Sequence, residues 1–249
     1  MLAFLLAGNQ AANADTTETF GGCQTALVQG VCPSGSLAGS AVFDLSGTTL
    51  TVTLTNTSSS ASTDNGNVLT ALAFDVNSGT LTPGSASLNG SATIGSIANV
   101  GNGWGYGTGL SAQGEHSAIS ASGTFKGLGH SNFSTTSTNL GGSDYGIVAK
   151  GTTASDLNHG TQNQEPFVED SVKFTLTTSS GFTLGDLGGS VVFQFGTATK
   201  DPYFDGSCTS CTAVPEASTV DFLAADFGLM GLVGTFFYLR RKRGATAHG

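Results

Sequence analysis

The sequence predicts an all-β fold: an antiparallel β-sandwich ectodomain, jelly-roll-like, followed by a single C-terminal transmembrane helix. Three observations lead to this prediction. Apolar and polar residues alternate with a period of two in several short runs. The composition favours turns, with 37 glycines in 249 residues and only 10% charged residues. Near the C-terminus, an apolar run long enough to cross a bilayer precedes a basic cluster.

Residues 1–14 have the pattern of a secretory signal peptide. Residues 1–7 are a short apolar stretch, and Ala12-Asn13-Ala14 fits the small-x-small cleavage pattern. No basic residue precedes the apolar stretch, which indicates a late start of the reading frame and a signal truncated at its start. We therefore expect export, with an ectodomain over residues 15–205.

Five runs of the ectodomain alternate as half-buried strands do. Their apolar positions are Ala41, Phe43 and Leu45; Leu50, Val52 and Leu54; Val68, Leu72, Phe74 and Val76; Val172, Phe174 and Leu176; and Val191, Phe193 and Phe195. Turns rich in glycine, serine and asparagine separate the runs. Because each run has one apolar face, we expect two sheets that press these faces together around one core.

Glycine alternates with other residues from Gly101 to Gly109, which places Trp104 and Tyr106 on one face of a predicted strand. Flat rings beside open backbone could stack on a sugar, so these two residues are a speculative glycan contact. The favoured interpretation is that both rings fill the core while the glycines allow close packing. The run lacks the glycine order and the strand–turn–helix context of a nucleotide-binding loop.

Four cysteines lie in two close pairs, Cys23 with Cys32 and Cys208 with Cys211. Exported proteins meet an oxidising compartment, so disulfides are expected, and four cysteines allow three connectivities. The spacing favours pairing within each close pair, whereas pairing across the domain would join its two ends. The spacing of the first pair does not suit zinc, so no metal site is predicted here.

Charge and motif content argue against several functions. Between residues 15 and 219, four lysines stand against fifteen acidic residues, a net charge of −11, which disfavours nucleic acid as a partner. The sequence has no nucleophile elbow and no H-E-x-x-H motif, so no catalytic residue and no enzyme activity are predicted.

Oxygen-rich segments offer two weaker candidates. The turns at residues 64–67 and 201–206 could hold Ca²⁺, but ordinary turn chemistry is favoured, and no cofactor is predicted. Carboxylate pairs such as Glu169 with Asp170, or Asp201 with Asp205, could in principle serve a glycosidase. Neighbouring positions in a sequence do not establish a separation across a cleft, so neither pair is assigned a role.

The C-terminal segment has three parts in a defined order. A linker over residues 206–219 carries the motif Val214-Pro215-Glu216-Ala217-Ser218-Thr219. Residues 220–239 follow as an apolar run of 20 residues, which as a helix would reach about 30 Å, one bilayer core. Asp221 lies in the first turn, where a helix favours negative charge, but Asp226 makes this a marginal span, and a buried amphipathic helix is the alternative. The basic stop Arg240-Arg241-Lys242-Arg243 should keep the tail, residues 240–249, in the cytoplasm.

This order resembles the PEP-CTERM sorting signal of Gram-negative bacteria, although Ala217 stands where the usual motif has a second proline. The resemblance implies signal peptidase and the membrane protease exosortase as partners. It also implies transient anchoring in the inner membrane, cleavage near the motif, and release to the cell surface or to an extracellular matrix. Extracellular polysaccharide, abundant in a biofilm matrix, is a further candidate partner.

Two functional hypotheses remain. The first is an exported structural or interaction protein of the cell surface or matrix, processed by exosortase. The alternative is a carbohydrate-binding or glycan-processing sandwich that carries the same tail. Exposure of Trp104 and Tyr106 beside Glu115 or Asp144 would favour the alternative, and burial of both rings would remove its main support.

Overall fold

A computed structural model describes residues 16–25, 32–157 and 166–211, which are mostly β, as predicted. The strands are β1 (Thr16–Cys23), β2 (Ala38–Ser46), β3 (Thr49–Asn56), β4 (Leu69–Val76), β5 (Leu81–Leu88), β6 (Thr93–Ile94), β7 (Gly105–Ala112), β8 (Glu115–Ser120), β9 (Ile147–Val148), β10 (Phe167–Glu169), β11 (Ser171–Thr178), β12 (Leu187–Phe195) and β13 (Tyr203–Ser210). Short 3₁₀ turns cover Asn65–Asn67, Val100–Gly103 and Leu184–Asp186.

The chain divides into two compact units, Met1–Thr212 and Ala213–Gly249. The predicted signal peptide, sorting motif, apolar run and basic stop all lie outside the described residues and stay predictions. Within the described ranges, no helix is long and apolar enough to cross a membrane.

The five strands predicted from alternation are confirmed as β2, β3, β4, β11 and β12. In β3, Leu50, Val52 and Leu54 are fully buried, while the threonines between them are partly exposed. This agreement follows from the pleat, which sends successive side chains to opposite faces of a strand.

The strands form one sheet rather than two separate ones. Their order is β5-β11-β3-β2-β1-β13-β12-β4-β9-β10-β6, and the β7–β8 hairpin joins through β8 to β4. The ladders are antiparallel, as predicted, apart from the parallel pair of β9 and β10. The sheet curls, so its two halves share one core.

Aromatic contacts show how the curl closes this core. Phe43 on β2 lies edge-on to Phe74 on β4, with ring centroids 5.4 Å apart, although three strands separate β2 from β4 in the sheet. The ring centroids of Trp104 and Phe174, which are distant in the sequence, are 4.9 Å apart. Edge-to-face pairs of this kind stabilise by about 0.5–1.5 kcal/mol beyond burial.

One region of the sheet is buried on both faces. Leu72 and Phe74 of β4 point into the main core, whereas Ala71 and Ala73 belong to a second cluster with Leu128 and others. The segment 121–146 supplies this outer layer, and the small side chains of β4 leave room for it.

Residues 206–210 are not part of a linker, and that prediction is wrong. They continue β13, which pairs with β1 on one side and β12 on the other. Gly206 lies against Phe193, where a Cβ would be only 2.5 Å from the ring. The apolar–polar pattern does not indicate this part of the strand, because glycine occupies its inward position and supplies no apolar side chain.

Both disulfides follow the predicted local pairing. Cys23 bonds to Cys32 with Cα atoms 5.9 Å apart, and Cys208 bonds to Cys211 with Cα atoms 5.8 Å apart. The first closes the connection between β1 and β2, and the second lies at the end of β13.

Candidate functional site

Trp104 and Tyr106, the speculative glycan contact, are both in the core. Trp104 is fully buried against Phe174, and its indole N–H donates to the carbonyl oxygen of Tyr145 over 3.1 Å. Tyr106 is 5% exposed and stacks on Phe74. Neither ring can reach a ligand at the surface, so the glycan-contact prediction is wrong and the core-filling interpretation is confirmed.

The alternating glycines face the covering segment 121–146. A Cβ at Gly101 or Gly103 would collide with the carbonyl of Phe133 or the ring of Tyr145. A Cβ at Gly105 would lie 2.6 Å from the carbonyl oxygen of His130. The alternation therefore has two consequences. The aromatic rings point into the core, and the glycines allow the covering segment to approach the backbone closely.

The covering segment also satisfies the free edge of β7. Asn132 accepts a hydrogen bond from the Tyr106 backbone N–H and donates one to the Tyr106 carbonyl, each over 2.7 Å. Its own N–H donates to the carbonyl of Trp104 over 3.2 Å. The Asn132 side chain thus replaces a neighbouring strand, which protects an edge that could otherwise pair with another chain.

Carboxylates gather on the outer face where β4, β8 and β12 meet. Asp75 accepts hydrogen bonds from the His116 backbone N–H over 2.7 Å and contacts the His116 ring at 2.9 Å. Burial acts to raise the pKa of Asp75, but the contacts with His116 outweigh it, and the pKa lies below its ordinary value. Burial raises the pKa of Glu115, helped by the negative charge of Asp75, although Ser190 donates a hydrogen bond to Glu115 over 3.1 Å.

This outer-face cluster lies on an exposed part of the sheet surface. The His116 side chain is 72% exposed. Opposed pKa shifts of two neighbouring carboxylates are typical of acid–base pairs in enclosed sites. Here they lie on an open strand surface, so they support no catalytic role.

The other acidic candidates hold turns together. Asp201 accepts from the backbone N–H groups of Thr197 and Ala198, each over 2.8 Å. Glu169 accepts from the Gly151 N–H over 2.5 Å. In the turn at 64–67, Asn65 accepts from Ser143 over 3.0 Å. These hydrogen bonds are ordinary turn contacts. Within the described residues, no group of three His, Cys, Asp or Glu side chains could hold a metal.

The described surface includes two clefts lined by polar groups. One, of about 160 Å³, lies between Gln24, Leu37 and a run of small side chains at residues 58–62. The other, of about 210 Å³, is the Tyr145 cleft, lined by Asn102, Gly103, Ala121, Thr138, Asn139, Leu140, Gly141, Asp144 and Tyr145. It lies at the junction of the glycine-rich strand and the covering segment.

The Tyr145 cleft was missed by sequence reasoning, apart from Asp144 as a possible neighbour of exposed rings. The sequence feature that could indicate this cleft is an aromatic residue inside the polar run Gly141-Gly142-Ser143-Asp144-Tyr145-Gly146. A backbone observation adds to it: Tyr145 has φ +63°, which L-residues other than Asn and Asp rarely adopt. Strained residues of this kind cluster at ligand sites.

Comparison with known proteins brings no relative: no family model, no curated protein and no solved structure matches the chain.

Proposed function

We propose that the protein is exported and delivered to the cell surface or extracellular matrix through its C-terminal signal, where it acts as a structural or interaction protein. The observation that carries the proposal is the order of the motif at 214–219, the apolar run at 220–239 and the basic stop at 240–243. A membrane-length run ended by cations sets both the position and the orientation of a chain in the bilayer.

The described domain supports this proposal in two respects. Both cysteine pairs are disulfide-bonded, which suits a compartment outside the reducing cytosol. The outer faces of β3 and β11 carry threonines and one lysine between fully buried neighbours, which suits a soluble sheet surface. Neither feature selects an enzyme activity.

We also propose that the two halves of the curled sheet face each other as the two layers of a jelly-roll-type sandwich. Its halves, β5-β11-β3-β2-β1 and β13-β12-β4-β8-β7, would form the two layers, with aromatic contacts between them. An experimental structure tests this: two facing layers about 10 Å apart are expected, and a round, open barrel would contradict the assignment.

The basic stop provides the first test of sorting. Replacing Arg240, Arg241, Lys242 and Arg243 by glutamine should impair orientation and retention in the inner membrane, because cytoplasmic cations hold the topology. A matched control exchanges Arg and Lys at the same positions and keeps the charge. Membrane fractionation and protease accessibility give the readout; unchanged topology in the glutamine variant would contradict the proposal.

The motif provides the second test. Intact-mass analysis of the released protein should show a C-terminus near residues 215–219. A double change, Pro215→Ala with Glu216→Ala, should cause the unprocessed form to accumulate, whereas Thr212→Ala just outside the motif should not. A released product that retains Tyr238 would exclude processing at the motif.

A further inference from the structure

Of the two clefts on the described surface, the Tyr145 cleft combines an aromatic ring with several hydrogen-bonding side chains. Its volume of about 210 Å³ is below the ~300–1,000 Å³ of pockets for drug-sized ligands. The size therefore suits one small ring of a ligand that continues into solvent.

Tyr145 forms a rigid wall of this cleft. Its backbone N–H donates to the carbonyl of Pro166 over 2.5 Å, and its carbonyl accepts from the buried Trp104 indole over 3.1 Å. Its ring packs against Gly103, where a Cβ would collide with it. Three neighbours thus hold Tyr145 in its left-handed backbone conformation, which places a partly exposed aromatic ring at a defined position.

Two amide side chains beside the ring are available for a ligand. Asn139 is exposed, and its side chain makes no hydrogen bond within the described residues. Ser134 donates to Oδ1 of Asn102 over 2.6 Å, and within the same residues Nδ2 of that amide has no partner. The Asp144 carboxylate also lines the cleft. Amides both donate and accept, as sugar hydroxyls do.

The chemistry of the lining selects the class of ligand. A carboxylate in the cleft and a net charge of −11 over residues 15–219 disfavour phosphate and acidic sugars. An apolar ligand would leave the amides of Asn102 and Asn139 unpaired, which costs free energy. What fits is an uncharged ring with hydroxyl groups at its rim and C–H groups on its faces.

We propose that the Tyr145 cleft binds one neutral pyranose unit of a glycan. Tyr145 supplies the aromatic wall, and Asn102 and Asn139 supply hydrogen bonds to hydroxyl groups. The proposal concerns the described domain only. It does not rest on the sorting proposal, because ligand binding and C-terminal processing are measured separately.

Ligand-observed saturation-transfer NMR tests the proposal, because small ligands of this size bind in the low millimolar range. The full chain is kept in a detergent without a sugar headgroup and titrated with the methyl glycosides of glucose, galactose and mannose, and with glucuronate. Saturation transfer to at least one neutral glycoside, stronger than to glucuronate, is expected. No transfer to any neutral glycoside at about 20 mM, or stronger transfer to glucuronate, would overturn the proposal.

Variants locate the binding. Asn139→Ala removes one hydrogen-bonding group, and Tyr145→Leu removes the aromatic ring that forms the wall; each change should weaken binding about 3- to 10-fold. Gln24→Ala removes an exposed amide from the other cleft and should leave binding unchanged. Circular dichroism confirms that each variant folds. Binding that is the same in both cleft variants as in the wild type, or that is lost in Gln24→Ala, would refute the assignment to this cleft.

Discussion

At the scale of single residues, the core contains polar atoms that the fold does not fully satisfy. The hydroxyl groups of Tyr106 and Thr178 are buried without a hydrogen-bond partner of ordinary geometry within the described residues. Burial raises the pKa of Tyr106, an effect that nearby Ser117 partly offsets. A buried donor without a partner loses its hydration, so such a group reduces stability.

Tyr106→Phe should therefore stabilise the protein, by up to about 1 kcal/mol, because it removes the unpaired hydroxyl and keeps the ring stacked on Phe74. Chemical denaturation of the wild type and the variant measures the difference. Tyr203→Phe is the control, since Tyr203 is 48% exposed and should change little. A loss of more than about 1 kcal/mol in Tyr106→Phe would show that the hydroxyl has a partner, such as Ser117.

Glu18 is a buried carboxyl group on β1, opposite Phe43 on β2. Burial raises its pKa, and within the described residues its side chain has no hydrogen-bond partner. The folded state therefore binds the proton more tightly than the unfolded state. Its contribution to stability is most favourable at acidic pH and declines as pH rises through the window between the unfolded and folded pKa values.

Glu18→Gln should consequently stabilise the protein at pH 7 and lose this advantage near pH 4. Melting temperatures over this pH range provide the measurement. Asp44→Asn, on the neighbouring strand, removes an exposed carboxylate and controls for the overall negative charge. An equal rise in melting temperature in both variants would show that the effect comes from net charge rather than from burial of Glu18.

At the scale of elements, β7 shows how one alternation can serve two layers. Tyr106 of β7 and Trp104 just before it enter the core, and the adjoining Gly103 and Gly105 contact the covering segment 121–146. The same close approach places the Tyr145 ring beside Gly103 and so shapes the Tyr145 cleft. The element that fills the core thereby also positions the candidate site.

Gly103→Ala should destabilise the protein by about 1–3 kcal/mol or more, because the added methyl group overlaps the Tyr145 ring. Gly129→Ala is the matched control: a Cβ there meets no atom within 4 Å, so stability should change by less than about 1 kcal/mol. Denaturant midpoints compare the two. Equal stability of both variants would contradict the tight layer contact.

At the scale of the whole molecule, one curled sheet folds back on itself and brings distant strands together. Phe174 of β11 lies where the halves meet, in contact with Trp104 and with Phe133 of the covering segment. The two ring centroids are 4.9 Å and 5.1 Å from that of Phe174. This residue therefore joins three parts of the chain.

Phe174→Ala should cost about 3–5 kcal/mol, the typical loss for a fully buried phenylalanine. On the adjacent edge strand β5, Leu88→Ala removes a residue that is 38% exposed and should cost less than about 0.5–1 kcal/mol. Both values come from urea denaturation. A small loss in Phe174→Ala would mean that the halves of the sheet are held together elsewhere.

Local pattern predicted a large part of this architecture. The five alternating runs became β2, β3, β4, β11 and β12, because the pleat sends successive side chains to opposite faces, although β4 and part of β12 are buried on both faces. Glycine-rich strands are harder to predict: the second half of β13 lies in the predicted linker, since Gly206 conceals its inward position. Short cysteine spacing likewise predicted both disulfides, because neighbouring thiols meet without any long-range folding.

Residues close together in the chain suffice to predict the β class and the local disulfides, and both predictions are confirmed. The sorting signal at the C-terminus stays a prediction. Only the tertiary structure decided that one sheet curls instead of two sheets pairing, that Trp104 and Tyr106 are buried, and that Tyr145 borders a polar cleft. These outcomes depend on which distant segments pack together. Residues 121–146 cover β7 through contacts that no local period encodes.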